Sequence, residues 1–142
     1  ISMGLVELDR YQENLDRRET IYSSYNSAFS KQSWAILPPH VTDEKTSSYH
    51  LYLLRIKNIT EEQRDAVIQA IFELDVAVNV HFQPLPLLTA YKNLGYEIAD
   101  YPIAHYKYQT EISLPIYYNL NNEQVSQVIH AVVSSVEMVL SK

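Results

Sequence analysis

The stretch YHLYLLRI, residues 49 to 56, constrains the fold more than any other part of the chain. Successive side chains in a strand point to opposite faces. Tyr49, Leu51, Leu53 and Arg55 then share one face, and His50, Tyr52, Leu54 and Ile56 the other. Both faces are largely apolar, so this strand belongs inside a sheet and not at its edge. The remaining segments must be arranged around it.

Helical spacing surrounds that strand. Apolar and aromatic residues at Ile1, Leu5, Leu8, Tyr11, Leu15, Tyr22, Tyr25 and Phe29 recur at three- and four-residue steps and predict one long helix ending near Ser30. A short extended piece, WAILPP, follows, and Pro38-Pro39 send the chain into a loop through Ser48. Thr60 with Gln63 reads as a capping box opening a helix whose buried face is Val67, Ile68, Ile71 and Leu74. The stretch VAVNVHF, residues 76–82, predicts a strand stopped by Pro84 and Pro86. A short helix closes at Gly95, Pro102 opens another, and EISLPIYY gives a short strand closed at Pro115. Asn121 or Asn122 caps a last helix with Val125, Val128, Ile129, Val132 and Val136 inward. The expected class is α+β, with helices packed on one side of a small, mostly antiparallel sheet. Residues 1–33 form the long helix and residues 34–142 a small domain. The amphipathic pattern is already running at Ile1 with no cap before it, which reads as the continuation of a longer chain.

Composition removes several function classes. A 142-residue chain with 46% hydrophobic and 20% charged residues suits one ordinary domain with a real core. A formal charge of −6 argues against a general nucleic-acid binder, which needs clustered cations. Cys is absent, so disulfides, thiolate metal sites and a Cys nucleophile are excluded. Only 2 glycines are present, which excludes a Gly-rich phosphate loop. No apolar run approaches the ~20 residues of a membrane span, and cytosol is the default compartment.

The histidines, at 40, 50, 81, 105 and 130, do not pair at a metal-ligand spacing. No G-x-S-x-G elbow accompanies the serines. His81 stands out because it closes a strand beside Phe82, Gln83 and Pro84. It is either a histidine bonded to neighbouring backbone or a polar group at the mouth of a cleft. Tyr91 and Lys92 follow by one short helix and, with His81, suit an anion or sugar site. His50 and Tyr52 are ambiguous between core groups and supports behind such a site. A general base at His81 has no nucleophile or orienting acid near it in sequence.

The pieces His50-x-Tyr52, Arg64-Asp65, His81-Phe82-x-Pro84-Leu85, Tyr91, Leu94-Gly95-Tyr96, Pro102-x-Ala104, Ser113-Leu114-Pro115-Ile116-Tyr117 and Glu123-Gln124-Val125 occur in one order over nearly the whole chain. In that order and spacing they resemble the C-terminal part of the DegT/DnrJ/EryC1/StrS family, pyridoxal-phosphate aminotransferases that act on nucleotide-linked keto sugars. The opening segment resembles the family's long helix between its large and small domains. Phe82, Pro86, Asp75 and His105 depart from the pattern, standing where Tyr, His, Gly and Glu are usual.

The resemblance implies the small domain of a fold-type I aminotransferase. It implies pyridoxal phosphate as cofactor, glutamate as amino donor and a homodimeric parent enzyme, without nucleic-acid or membrane partners. It also implies that His81, Tyr91 and Lys92 contact the sugar nucleotide, Lys92 at its diphosphate. None of Lys31, Lys45, Lys57, Lys92, Lys107 and Lys142 sits in the family's Schiff-base context, so the chain alone has no assigned catalytic residue and is expected to be inactive. The rival reading is a stand-alone sugar-nucleotide-binding or assembly module that kept the fold without the catalysis.

Overall fold

The structure, a computed structural model, describes residues 2–141. The expected long helix is two consecutive pieces, α1 (Ser2–Asp9) and α2 (Tyr11–Phe29), separated at Arg10. The amide of Asn14 still bonds the Arg10 carbonyl at 3.1 Å, so the ladder resumes at once. The stripe divides in the same place. Leu5, Leu8 and Tyr11 are exposed, whereas Ile21, Tyr22, Tyr25 and Phe29 are buried. The expectation for Ile1 lies outside the described residues.

The main sheet has three antiparallel strands in the order β1 (Ala35–Ile36), β4 (Tyr52–Ile56), β5 (Glu111–Leu114). β4 is central, as its two apolar faces require. It is shorter than its sequence pattern because Tyr49 takes a left-handed φ of 53°, which ends the extended run. Tyr49 is nevertheless buried, packed edge-on against Tyr22 with ring centres 5.3 Å apart. In the loop read as irregular, β2 (Val41–Thr42) and β3 (Lys45–Thr46) form a hairpin around Asp43 and Glu44. Two-residue turns of this kind need no apolar signature, and both strands are exposed.

α3 (Glu61–Phe72) starts at Thr60. The Thr60 hydroxyl accepts from the Gln63 amide at 3.2 Å, and the Gln63 side chain accepts from the Thr60 amide at 3.0 Å. α6 (Asn122–Leu140) repeats the device with Asn121 and Gln124. These reciprocal bonds satisfy amides that have no partner inside a helix. α3 and α2 both pack against α6, whose buried face is Val125, Val128, Ala131, Val132, Val136 and Val139. On α3 the buried set is Arg64, Val67, Ala70 and Ile71. Leu74, expected inside, lies beyond the end of α3 and is exposed. Asp75, which stands where the family pattern has glycine, holds the left-handed φ of 57° that follows the helix.

The strand expected at 76–82 is reduced to a single bridge, Asn79 with Ser113. The Asn79 amide donates to the Ser113 carbonyl at 3.2 Å, and the Asn79 carbonyl accepts from the Ser113 amide at 2.7 Å. β-propensity alone supplied no further partner for this segment. Beyond it run a 3₁₀ turn at Leu85–Leu87, α4 (Thr89–Lys92), a second 3₁₀ turn at Ile98–Asp100 and α5 (Pro102–Thr110). Gly95, at φ 88°, turns the chain after α4.

An aromatic group joins α2 to the sheet. Tyr22 and Tyr25 meet Tyr52 edge-on, with ring centres 4.7 and 5.0 Å apart. Their hydroxyls donate to the carbonyls of Pro38 and Pro115, and that of Tyr52 to Asn26 Oδ1. Burial pushes the Tyr22 hydroxyl up to about 12 and raises those of Tyr25 and Tyr52 as well.

Candidate functional site

Strand alternation decides what each face of the sheet carries. Directly opposed residues of an antiparallel pair project to the same side. Tyr52 and Leu54 oppose Leu114 and Ile112, and all four are buried in the core. Leu53 and Arg55 oppose Ser113 and Glu111 and so occupy the other face. The Asn79–Ser113 bridge runs antiparallel to β5, which brings His81 level with Glu111.

The result is a chain of polar contacts. The Ser113 hydroxyl donates to Glu111 Oε1 at 2.6 Å. His81 Nδ1 lies 2.8 Å from Ser113 Oγ, and the His81 amide donates to Glu111 Oε1 at 3.3 Å. Glu111 and Ser113 are 6% and 4% exposed, which marks this carboxylate as held by hydrogen bonds and not by water. His81 itself is half-buried.

A cavity of about 400 Å³ opens over this face. Leu53 and Arg55 of β4, His81 and Phe82, Lys107 and Tyr108 of α5, and Glu111 of β5 line it. Its size suits a small-molecule site. Arg55 stands opposite Glu111 in the register, yet the two form no ion pair among the described residues. Arg55 and Lys107 therefore bring two cations to the cavity without a carboxylate bound to either. Two larger grooves, of about 730 and 870 Å³, run past residues of α2 and contain none of the candidate site residues. Chemistry rather than size selects the His81 cavity.

The other sequence candidates are placed elsewhere. Tyr91 is half-buried on α4, its ring centre 5.9 Å from that of Tyr96. Lys92 is exposed in the last turn of α4. Neither lines the His81 cavity. His50 is exposed and precedes β4, and Tyr52 is fully buried in the core. Among the described residues no cluster of three or more His, Asp or Glu side chains could hold a metal ion, and no helix is long and apolar enough to cross a membrane.

Sequence reasoning missed Arg55, Lys107, Glu111 and Ser113. Its search for an acid near His81 stayed local, whereas the acid is 30 positions away. The available signal was Glu111-Ile112-Ser113-Leu114, where polar residues alternate with apolar ones in a strand whose polar side is buried. The arrangement is not a nucleophilic triad. Ser113 gives its proton to Glu111, whereas a serine nucleophile gives it to histidine.

A model of the DegT/DnrJ/EryC1/StrS aminotransferase family matches residues 1–133. Spore coat polysaccharide biosynthesis protein SpsC of Bacillus subtilis is 32% identical over 134 residues, which make up 92% of this chain and 34% of that protein. UDP-4-amino-4,6-dideoxy-N-acetyl-beta-L-altrosamine transaminase of Campylobacter jejuni is 27% identical over 138 residues, 97% of this chain and 36% of that protein. The PMP form of Spr1654 from Streptococcus pneumoniae, described as a sugar aminotransferase by assignment, superposes with a TM-score of 0.94 at 41% identity. That match covers 99% of this chain and 35% of that one. The chain thus spans about a third of the length of the relatives it matches. With the match running from the first helix into α6, the chain belongs to the DegT/DnrJ/EryC1/StrS aminotransferase family.

Proposed function

We propose that this chain is the small domain of a pyridoxal-phosphate-dependent aminotransferase that acts on a nucleotide-linked keto sugar, and that its His81 cavity forms one wall of the substrate cleft. The observation that carries the reading is the cavity itself. It combines a histidine anchored by a buried carboxylate with two unpaired cations, Arg55 and Lys107. Paired cations suit a diphosphate, and a fixed imidazole suits a sugar hydroxyl. Phe82, at 76% exposed, presents an apolar side chain on the cavity lining, as expected of a surface that faces more protein. On this reading the diphosphate contact that the resemblance implies for Lys92 passes to Arg55 and Lys107, and Tyr91 and Lys92, which do not line the cavity, contact another part of the ligand. The parent enzyme works in the cytosol as a homodimer, with glutamate as amino donor.

Pyridoxal phosphate, when bound, supplies an electron sink for amino-group transfer. It needs a Schiff-base lysine, an acid at the pyridine nitrogen and a phosphate cradle. Lys31, Lys45, Lys57, Lys92 and Lys107 are all exposed, and so is every described Asp. The described residues do not make up that set, so the cofactor is assigned to the part of the enzyme outside this chain.

The test is His81→Ala in the enzyme that contains this chain. Loss of one well-placed hydrogen bond raises the KM for the sugar nucleotide about tenfold, while the KM for the amino donor in the other half-reaction stays unchanged. An unchanged sugar-nucleotide KM and kcat removes His81 from the cleft. Borohydride trapping of the cofactor on a lysine within these 142 residues refutes the assignment of catalysis elsewhere.

A further inference from the structure

The hydrogen-bond directions around His81 fix more than its position. Glu111 is buried and its Oε1 receives both the Ser113 hydroxyl, at 2.6 Å, and the His81 amide, at 3.3 Å. An ionised carboxylate only accepts hydrogen bonds. Ser113 has one proton, and Glu111 takes it. Toward His81, 2.8 Å away, Ser113 therefore has only a lone pair to offer. The proton in that contact must come from the imidazole, so Nδ1 carries it. A neutral imidazole protonated at Nδ1 has a bare lone pair at Nε2.

We propose that Glu111 and Ser113 are positioning residues that hold His81 as its Nδ1–H tautomer, so that Nε2 meets the ligand as a hydrogen-bond acceptor. The identity of the ligand as a sugar nucleotide rests on the proposed function; the tautomer does not. The preference has a consequence for selectivity. An acceptor at this point takes a donor such as a sugar hydroxyl and disfavours a bare carbonyl or phosphate oxygen. Anionic oxygens are directed instead to Arg55 and Lys107, the cations that line the same cavity from β4 and α5. The remaining hydroxyl there, Tyr108, is committed to Glu61 at 2.9 Å, so it does not compete for His81. The cavity is thereby divided into an accepting point and a cationic side.

The experiment is the nitrogen-15 NMR spectrum of the 142-residue chain, labelled at histidine, at a pH where the imidazole is neutral. The two tautomers have well-separated nitrogen shifts, and no ligand is required. The wild-type chain gives His81 predominantly as Nδ1–H. Ser113→Ala removes the acceptor and moves the population toward Nε2–H, the form free imidazole prefers. Ser113→Thr keeps the hydroxyl and restores the wild-type pattern. Glu111→Gln, whose amide can donate to Ser113, turns the hydroxyl toward His81 and gives Nε2–H by a separate route. A wild-type His81 found as Nε2–H overturns the proposal. So does a spectrum left unchanged by both Ser113→Ala and Glu111→Gln in folded protein, as judged by the remaining histidines. A failure to bind sugar nucleotide alters neither result, so the two readings fail separately.

Discussion

Replacing Arg64 with Met tests whether a buried charge holds α5 to α3. Arg64 is 2% exposed, the largest fully buried side chain of the described residues. Its Nη1 donates to the Tyr108 carbonyl at 2.7 Å, and its guanidinium carbon stands 4.9 Å from the centre of the Tyr108 ring. It also pairs with Asp65 at 2.7 Å and Glu61 at 3.6 Å. A lost hydrogen bond from a charged donor costs about 1.5–3 kcal/mol, and the ring contact adds about 0.5–1 kcal/mol. The two carboxylates are 62% and 36% exposed, so water screens them and their pairing adds under about 1 kcal/mol. Met keeps the aliphatic stem buried, so that contribution adds no loss. The net loss is about 2–5 kcal/mol. At a slope of about 2 kcal/mol per M, urea unfolding followed by circular dichroism then shifts its midpoint down by about 1–2.5 M at unchanged slope. Arg64→Lys keeps the charge but not the planar fork, and loses about half as much. A midpoint within about 0.3 M of wild type for Arg64→Met would show that the guanidinium is a passenger in the interface and would refute the reasoning.

Two further outcomes follow from the core and the caps. Tyr22 has its hydroxyl raised to about 12, above the ordinary value of 10.0, chiefly by burial. The folded state therefore holds that proton more tightly than the unfolded chain. Its stabilising contribution is complete below pH 10 and is lost as pH climbs toward 12, so urea midpoints fall over that window and Tyr22→Phe flattens the decline. Asn121→Ala removes the oxygen that accepts the Gln124 amide at 2.8 Å, and costs about 1 kcal/mol in the same urea assay, with no effect on the His81 tautomer.

What could be read from the sequence was what depends on near neighbours. The capping boxes at Thr60 and Asn121 each close within three residues, so the residues that form them are visible together. The centrality of β4 followed from its two apolar faces, and the inward face of α6 from a simple helical period. Burial of Arg64 was hidden because its partner, the Tyr108 carbonyl, is 44 positions away and leaves no mark in local pattern. Residues 76–82 have strand composition, but composition does not provide a second strand, and only Asn79 finds one. Tyr49 fits the alternation of β4 and yet leaves it at a φ of 53°, with its ring against Tyr22 and its hydroxyl donating to Glu19, 30 positions away. Within the site, His81 was marked by the prolines after it. Ser113, 32 positions on, became part of the site only through the antiparallel bridge at Asn79.

The tyrosine joint between α2 and the sheet governs how movement passes through this domain. The hydroxyls of Tyr22, Tyr25 and Tyr52 are tied to Pro38, Pro115 and Asn26 at 2.8–3.0 Å. A slide of α2 by even one helical residue, about 1.5 Å, would lengthen or misalign all three bonds together. The helix and β4 therefore act as a lever keyed to its shaft. β4 carries Tyr52 into that key on one face and Leu53 and Arg55 into the cavity on the other. A tilt of α2 is therefore expected to reach the cavity wall through β4, the strand that carries both the tyrosine joint and the cavity residues.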